Sequence, residues 1–422
     1  MMKSKQKGYL FLNYLDSHMK IYNTLSHKIE EFVPFEEKKV KIYVCGITPY
    51  DTTHLGHAFT YIFFDVLNRY LRFKGYEVIY TQNVTDINDR DNDILKRAKD
   101  QGTTWQNLSK FWTEKFLHDM HELNWIVPDN YLFASEHIPA MIDLIDNLLK
   151  NKIAYIVNGG VYLDISKDKD FGNLSGYSNE KMLSVAKEFD EDIDNPNKRN
   201  PLDITLWRPT IKSQSEHIPS FDSPYGPGRP GWHLECSAMS ICSLGEQIDI
   251  HGGGKDLIYP HHEAEIAQSE GGTEKKPFSK FWLHMGIVSY NGQKMSKSIG
   301  NLVLVSDLLK KYSANAIRYL LLSNHYRSEW EFEESQLVEA EKKINAIREA
   351  VGFSSSSEAL AESRSESSRH ARTIDIDLKQ FELALDDDMN TPEALKALSQ
   401  SAEKGRVEEA KKMADILGFK FR

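Results

Sequence analysis

The sequence predicts an α/β fold: a doubly wound parallel sheet with an α+β insertion and a C-terminal helical tail. Three observations carry that expectation. Near the start, Lys41-Ile-Tyr-Val-Cys45 reads as a buried strand and Glu77-Val-Ile-Tyr-Thr-Gln82 as a second. Between them Ala58, Ile62, Val66, Leu67 and Tyr70 recur at helical spacing from about Gly56 to Phe73, completing a βαβ unit. Finally, 422 residues exceed what one core usually organises, so two or three domains are expected.

Each element follows in order. Met19-Lys-Ile-Tyr-Asn-Thr24 resembles a natural beginning, so residues 1–18 read as a non-native extension. Residues 19–101 are the first half of the sheet domain, with Gly46-Ile-Thr-Pro-Tyr50 as the turn after its first strand. Residues 102–200 read as an insertion. Helical patterns at Trp105–Leu123 and Ile138–Leu149 precede a hairpin over Ile153–Ile165 turning at Gly159-Gly160, and the polar Glu188–Asn200 leads back to the sheet. Residues 201–305 supply the second half, and Pro224–Pro230, with three prolines and two glycines, reads as a rigid loop. Helical patterning resumes at Glu263–Ser269 and Ser306–Ser323, making 306–352 a helical stem. Eight of the fifteen residues Ser354–Ser368 are serine, so 353–372 is read as a flexible linker. The tail, 373–422, has room for two or three short helices.

Composition narrows the function. A hydrophobic content of 40% with 11% aromatics excludes general disorder. Lys+Arg 52 against Asp+Glu 62 leaves a net charge of −10, which counts against gripping nucleic acid by bulk positive charge but leaves room for local basic grooves. From Glu331 to Arg422 there are 20 acidic and 14 basic residues, so the tail is no basic arm. The three cysteines, Cys45, Cys236 and Cys242, are no disulfide scaffold and suit a reducing compartment. The longest apolar run near the start, Tyr9-Leu-Phe-Leu12, is too short for a signal or a membrane span. A soluble cytoplasmic protein without a membrane partner is expected, with a monomer as the default.

Three motifs carry chemistry. His54-Leu-Gly-His57 sits at the mouth of the first helix, where backbone N–H groups and the dipole attract phosphate. There Gly56 would let a base approach the backbone, and both imidazoles can donate to phosphate oxygens. Lys294-Met-Ser-Lys-Ser298, 237 residues beyond His57, places two lysines three apart, a spacing that can bracket a departing pyrophosphate. Each motif alone also fits a solvated turn or loop. Cys45, Cys236, His261 and Glu265 could make a tetrahedral zinc site, the last two sharing one helix face. With 191 residues between the cysteines and no CxxC pair, spacing alone equally allows two structural thiols and a surface His/Glu pair. Cys242 matches no ligand position and reads as a small core residue.

The order of the first two motifs resembles class I aminoacyl-tRNA synthetases. Cys45-Gly-Ile-Thr48, Asn83-Val-Thr-Asp86, Gly228-Arg-Pro-Gly-Trp-His-Leu-Glu-Cys-Ser-Ala-Met239, His251-Gly-Gly-Gly-Lys-Asp-Leu257 and Pro260-His-His-Glu-Ala-Glu-Ile-Ala-Gln-Ser269 resemble the cysteinyl-tRNA synthetase family. The likeness runs with gaps from Met19 to Phe332 and weakly through Asp386-Asp-Asp-Met-Asn-Thr-Pro392. It implies a class I nucleotide-binding catalytic domain, ATP with Mg2+, and Zn2+ on Cys45, Cys236, His261 and Glu265. It also implies catalytic roles for His54, His57, Lys294 and Lys297, and ATP contacts from Gly46, Thr48, His54, Gly56, His57, Gly254, Asp256, Val288 and Lys297. By the same resemblance Cys45, Thr60, Asn83, Thr85 and Trp232 form the cysteine site. A zinc ion binds thiolate far better than hydroxyl, so coordination would separate cysteine from serine where a steric pocket would not.

The expected reaction is activation of L-cysteine by ATP to cysteinyl-adenylate, followed by transfer to tRNA. Gly46–Ala58, Gly300-Asn-Leu-Val-Leu-Val305 and His325-Tyr-Arg-Ser-Glu-Trp-Glu-Phe332 are more similar to the mycothiol-pathway cysteine ligases, for which the acceptor would be glucosaminyl-inositol. The short acidic tail predicts little of an anticodon-reading module. A nucleotidylyltransferase with a structural zinc would share the His-x-Gly-His turn but would not account for the lysine motif or for Trp232–Cys236. A zinc hydrolase would leave the loop lysines incidental.

Overall fold

The structure, a computed structural model, describes residues 18–49, 53–87, 94–210, 218–295, 300–352 and 377–421. The expectations for residues 1–17, for the Ser-rich run and for Lys297 lie outside these.

Five parallel strands form the central sheet: β1 (Lys39–Ile47), β2 (Glu77–Val84), β3 (Asn130–Phe133), β4 (Ile248–Gly254) and β5 (Ser279–Met285). Their spatial order is β5-β4-β1-β2-β3. The chain therefore builds outward from β1 in one direction, then returns to lay β4 on the other side of β1, Ile250 beside Ile42 and Gly252 beside Val44. That reversal is the topological switch point, where open α/β sheets leave a crevice at the strands' carboxyl ends. The inner strands are buried on both faces, as parallel strands sandwiched by helices must be. The connecting helix α1 (Leu55–Phe73) buries Ala58, Ile62, Val66 and Tyr70, the stripe that its periodicity predicts. Two further helices, α2 (Trp232–Leu244) and α3 (Glu263–Thr273), pack side by side on the other face.

Several expectations need correction. Strand β3 lies within 102–200, so part of that stretch belongs to the central sheet. Its four residues are all half-buried and show no alternation to read. The portion that stands apart is a four-stranded antiparallel sheet of Ala154–Val157, Gly160–Leu163, Ile204–Pro209 and Gly228–Pro230. Its hairpin turns at Asn158 and Gly159, both at positive φ. Gly228–Pro230 is thus a strand where a loop was expected; as the sheet's edge it tolerates a proline. The pattern over Ser306–Ser323 divides into Val305–Leu308 and Ala314–Leu322, because Ser313 starts a new helix by capping Ala316 N–H. Cys242 is exposed, not a core residue, since it lies on the outer side of α2. No helix among the described residues is long and apolar enough to cross a membrane.

Among the described residues the tail forms three helices, at 377–386, Thr391–Glu403 and Val407–Ile416. They do not hang free: Phe381, Leu398, Met413 and Phe419 share one hydrophobic core with Val40, Ile42 and Val66. Two buried polar junctions fix the docking. Asp388 accepts hydrogen bonds from Tyr22 N–H (2.8 Å), Tyr326 Oη (2.6 Å) and Arg327 Nε (2.7 Å). Arg318, wholly buried, donates to Asp65 of α1 and to the carbonyls of Leu123 and Leu417. Removing one member of a buried ion pair strands the other charge, at a cost of about 3–5 kcal/mol. Asp65→Ala is therefore expected to shift the urea unfolding transition by about that much; a shift within the scatter of surface substitutions would contradict the role of this junction.

Candidate functional site

A cavity of about 390 Å3 opens at the carboxyl ends of β1 and β4. Its floor is built by three elements. Cys45 lies near the end of β1, Cys236 lies one turn into α2, and His261 stands two residues before α3; all three line the cavity. Glu265, in the first turn of α3 and fully buried, lies beneath them. The four ligand atoms lie within 4.8 Å of one another. Glu265 Oε1 is 3.2 Å from Cys45 Sγ and 3.1 Å from His261 Nε2. Burial, then the Cys236 thiol and the Glu265 carboxyl, push the Cys45 thiol well above its ordinary pKa. Among the described residues Glu265 meets imidazoles and a thiol but no lysine or arginine. A buried carboxylate in that setting is costly unless a cation joins it, and two sulfurs, one nitrogen and one oxygen suit a tetrahedral zinc ion. The donor set fits the metal.

Sequence reasoning missed a second layer. His251 Nε2 lies 3.3 Å from Glu265 Oε2, and His262 Nδ1 lies 2.7 Å from His284 Nε2. Burial pushes His262 well below its ordinary pKa and, with His251 adding to it, lowers His284 to about 3. Cys45, His251, His262 and Glu265 also bring their ligand atoms within 4.8 Å. Of that set only Cys45 reaches the cavity, whereas the first set reaches it through three members. The available signal was position: His251 opens the glycine motif on β4 and His262 neighbours His261.

Over this floor stand the residues expected to hold the amino acid. Trp232 stacks on the His261 ring at 4.4 Å, and Thr60 and Thr85 line the wall. Thr48 and Thr85 share a hydrogen bond of 2.8 Å. Asn83 lies behind the cavity surface, donating to Cys236 Sγ (3.3 Å) and accepting from Gly46 N–H (2.8 Å). It orients a thiol.

The other end of the cavity holds the residues expected to meet phosphate. His54 caps α1, its Nδ1 accepting from the Gly56 and His57 N–H groups at 3.1 and 3.3 Å. Those amides are therefore not free for a ligand as the sequence suggested; accepting at Nδ1 makes Nε2 the donor of the neutral ring. The two imidazoles stack 3.7 Å apart. Gly56 serves this stack: a Cβ there would lie 2.9 Å from the His54 ring. The segment that follows the lysine motif comes from far along the chain yet lies beside this turn, because Leu55 N–H donates to Val303 O (2.8 Å) and Val305 N–H to Thr53 O (3.0 Å). Lys294 reaches the cavity and pairs with Asp256 at 2.9 Å, and Gly254 and Val288 also line it. Every described residue assigned from sequence thus lines this cavity, except Asn83 and Glu265, which lie directly behind it.

At Gly46, which lines the same cavity, a Cβ would lie 1.5 Å from Asn83 O of β2. Gly46→Ala must part the two central strands, and an overpacking cost of about 1–3 kcal/mol is expected. Thermal unfolding checks this; wild-type stability would mean that the strands do not approach so closely.

Comparison with known proteins follows the same lines. A family model described as the class I tRNA synthetase (C) catalytic domain matches residues 31–342. A cysteine-tRNA ligase from Dehalococcoides mccartyi is 44% identical over 95% of this chain and 86% of its own length. A cysteine-tRNA ligase from Thermococcus onnurineus is 42% identical over 90% of the chain and 78% of its own length. Among solved structures, methionyl-tRNA synthetase from Mycobacterium tuberculosis superposes with a TM-score of 0.63 over 90% of this chain and 89% of that one, at 15% identity. That likeness concerns the fold.

Proposed function

The chain belongs to the class I cysteine-tRNA ligase family, and we propose that it activates L-cysteine with ATP and transfers the cysteinyl group to tRNA. One observation supports this above the others: a floor of two thiols and an imidazole, backed by Glu265, shares a single cavity at the switch point with the His54–His57 turn and Lys294. In the first step the cysteine carboxylate attacks the α-phosphorus of ATP, and the bond to pyrophosphate breaks. In the second the adenylate's carbonyl is attacked by a hydroxyl of the tRNA 3′ end, and AMP leaves.

Cys45, Cys236, His261 and Glu265 would hold a zinc ion, whose preference for thiolate over hydroxyl distinguishes cysteine from serine. Trp232 covers that floor, and Thr60 and Thr85 flank it. At the other end the Nε2 side of His54, with His57 stacked on it, offers donors to the phosphates. Gly46, Thr48, Gly254 and Val288 shape the nucleotide's bed, and Mg2+ would accompany its phosphates. Lys294 and Lys297 neutralise the charge that builds on the departing pyrophosphate. The Asp256 carboxylate holds Lys294 over the cavity, 2.9 Å away, before ATP arrives. Free thiols at all three cysteines suit a cytoplasmic enzyme.

The experiment is cysteine-dependent ATP–pyrophosphate exchange, followed by presentation of tRNA and, separately, glucosaminyl-inositol to the charged enzyme. Exchange with cysteine and label on tRNA are expected; label on glucosaminyl-inositol alone would move the chain to the mycothiol-type reaction. Lys297→Ala should slow exchange by roughly 100–1000-fold with little effect on cysteine binding. Unchanged exchange in that variant would remove Lys297 from the chemistry.

A further inference from the structure

His261 is held from behind. Its Nδ1 lies 2.8 Å from His233 Nδ1, and His233 Nε2 lies 3.2 Å from Glu191 Oε1. Both imidazoles are buried, while Glu191 is partly exposed on the segment that follows the helix Asn179–Glu188, far from the sheet in sequence. Two residues earlier on that segment Phe189 stacks parallel to Trp232, which itself stacks on His261. The segment therefore reaches the cavity floor twice, once through rings and once through a chain of polar atoms.

From this geometry we propose that Glu191 and His233 are positioning residues that fix the tautomer of His261 and so set up its Nε2 as a metal ligand. Facing Nδ1 atoms need one proton between them. If His233 supplied it, its neutral ring would turn an unprotonated Nε2 toward the Glu191 carboxylate, lone pair against anion. With Glu191 ionised, the favoured arrangement places a proton on His233 Nε2, donated to Glu191, and leaves His233 Nδ1 to accept from His261 Nδ1–H. With a cation in the cluster His261 Nε2 would carry no proton and would turn its lone pair to the metal, whose charge offsets the Glu265 carboxyl 3.1 Å away. Residues behind a metal-binding histidine commonly act in this way, and their loss costs about 10–100-fold in metal affinity. The same contact makes the inserted segment part of the site, so displacement of residues 189–191 would loosen both the ring stack and the ligand. This inference rests on the proposed zinc site.

The test measures zinc affinity of the full chain by chelator competition, together with the sulfur-to-metal absorption of the cobalt-substituted protein. Wild-type protein is expected to bind one zinc tightly and Cys236→Ser to lose it; failure of either result overturns the zinc site itself. Given that site, Glu191→Ala should weaken zinc roughly 10–100-fold and alter the cobalt spectrum, with the melting temperature of the metal-free chain unchanged. Glu191→Gln, whose carbonyl still accepts from His233, should recover most of the affinity. In a His233→Asn background, where the link to Glu191 is already cut, Glu191→Ala should add nothing further. Wild-type affinity in Glu191→Ala would overturn the proposal. So would an equal loss in Glu191→Gln, or full additivity with His233→Asn.

Discussion

The rest of the molecule depends on one electrostatic constraint: a carboxyl group, Glu265, is held out of water at the centre of the fold, 3.2 Å from the Cys45 thiol. An isolated charge of that kind is expensive to bury, and the surroundings are arranged to make the burial useful. The reversal of strand order brings the end of β1 beside β4. The packing of α2 on α3 carries Cys236 and His261 to the same point. Asn83 donates to one of the thiols, and imidazoles approach the carboxylate. A cation would complete such a nest.

Distance from this floor divides the work of the cavity. In the proposed reaction sulfur would be recognised at the bottom, where the donors are soft and enclosed, and phosphate at the rim, where His54, His57 and Lys294 stand. The backbone bonds from Leu55 N–H to Val303 O and from Val305 N–H to Thr53 O tie the histidine turn to the segment after the lysine motif, far along the primary sequence. A net charge of −10 is compatible with this chemistry because the relevant positive groups are few and placed. The tail helices are tied to α1 through Arg318, which bonds both Leu417 O and Asp65, and to Tyr22 through Asp388.

Much of this was legible in the residues. The βαβ unit could be read because its strands are continuous apolar runs and its helix has a clean stripe. The four candidate metal ligands could be picked out because their motifs are dense in chemistry. What escaped had weak local signals. Asn130–Phe133 is too short and too evenly exposed to announce a sheet edge. Gly228–Pro230 looked like a loop because proline and glycine dominate it, and edge pairing overrides that composition. Cys242 was misplaced because a cysteine is usually buried, whereas helix phase turns this one outward. Glu191 and His233 are 42 residues apart and meet only because the inserted segment folds back over α2.

The central claim is that the Cys45–Cys236–His261–Glu265 cluster holds a zinc ion that takes the substrate sulfur as a further ligand. Zinc-edge X-ray absorption, recorded with and without L-cysteine, tests it most directly. The account predicts about two sulfurs at roughly 2.3 Å in the free protein and one more when cysteine is present, with no change on adding serine. A sulfur count that stays the same with cysteine, or a first shell without sulfur, would contradict it.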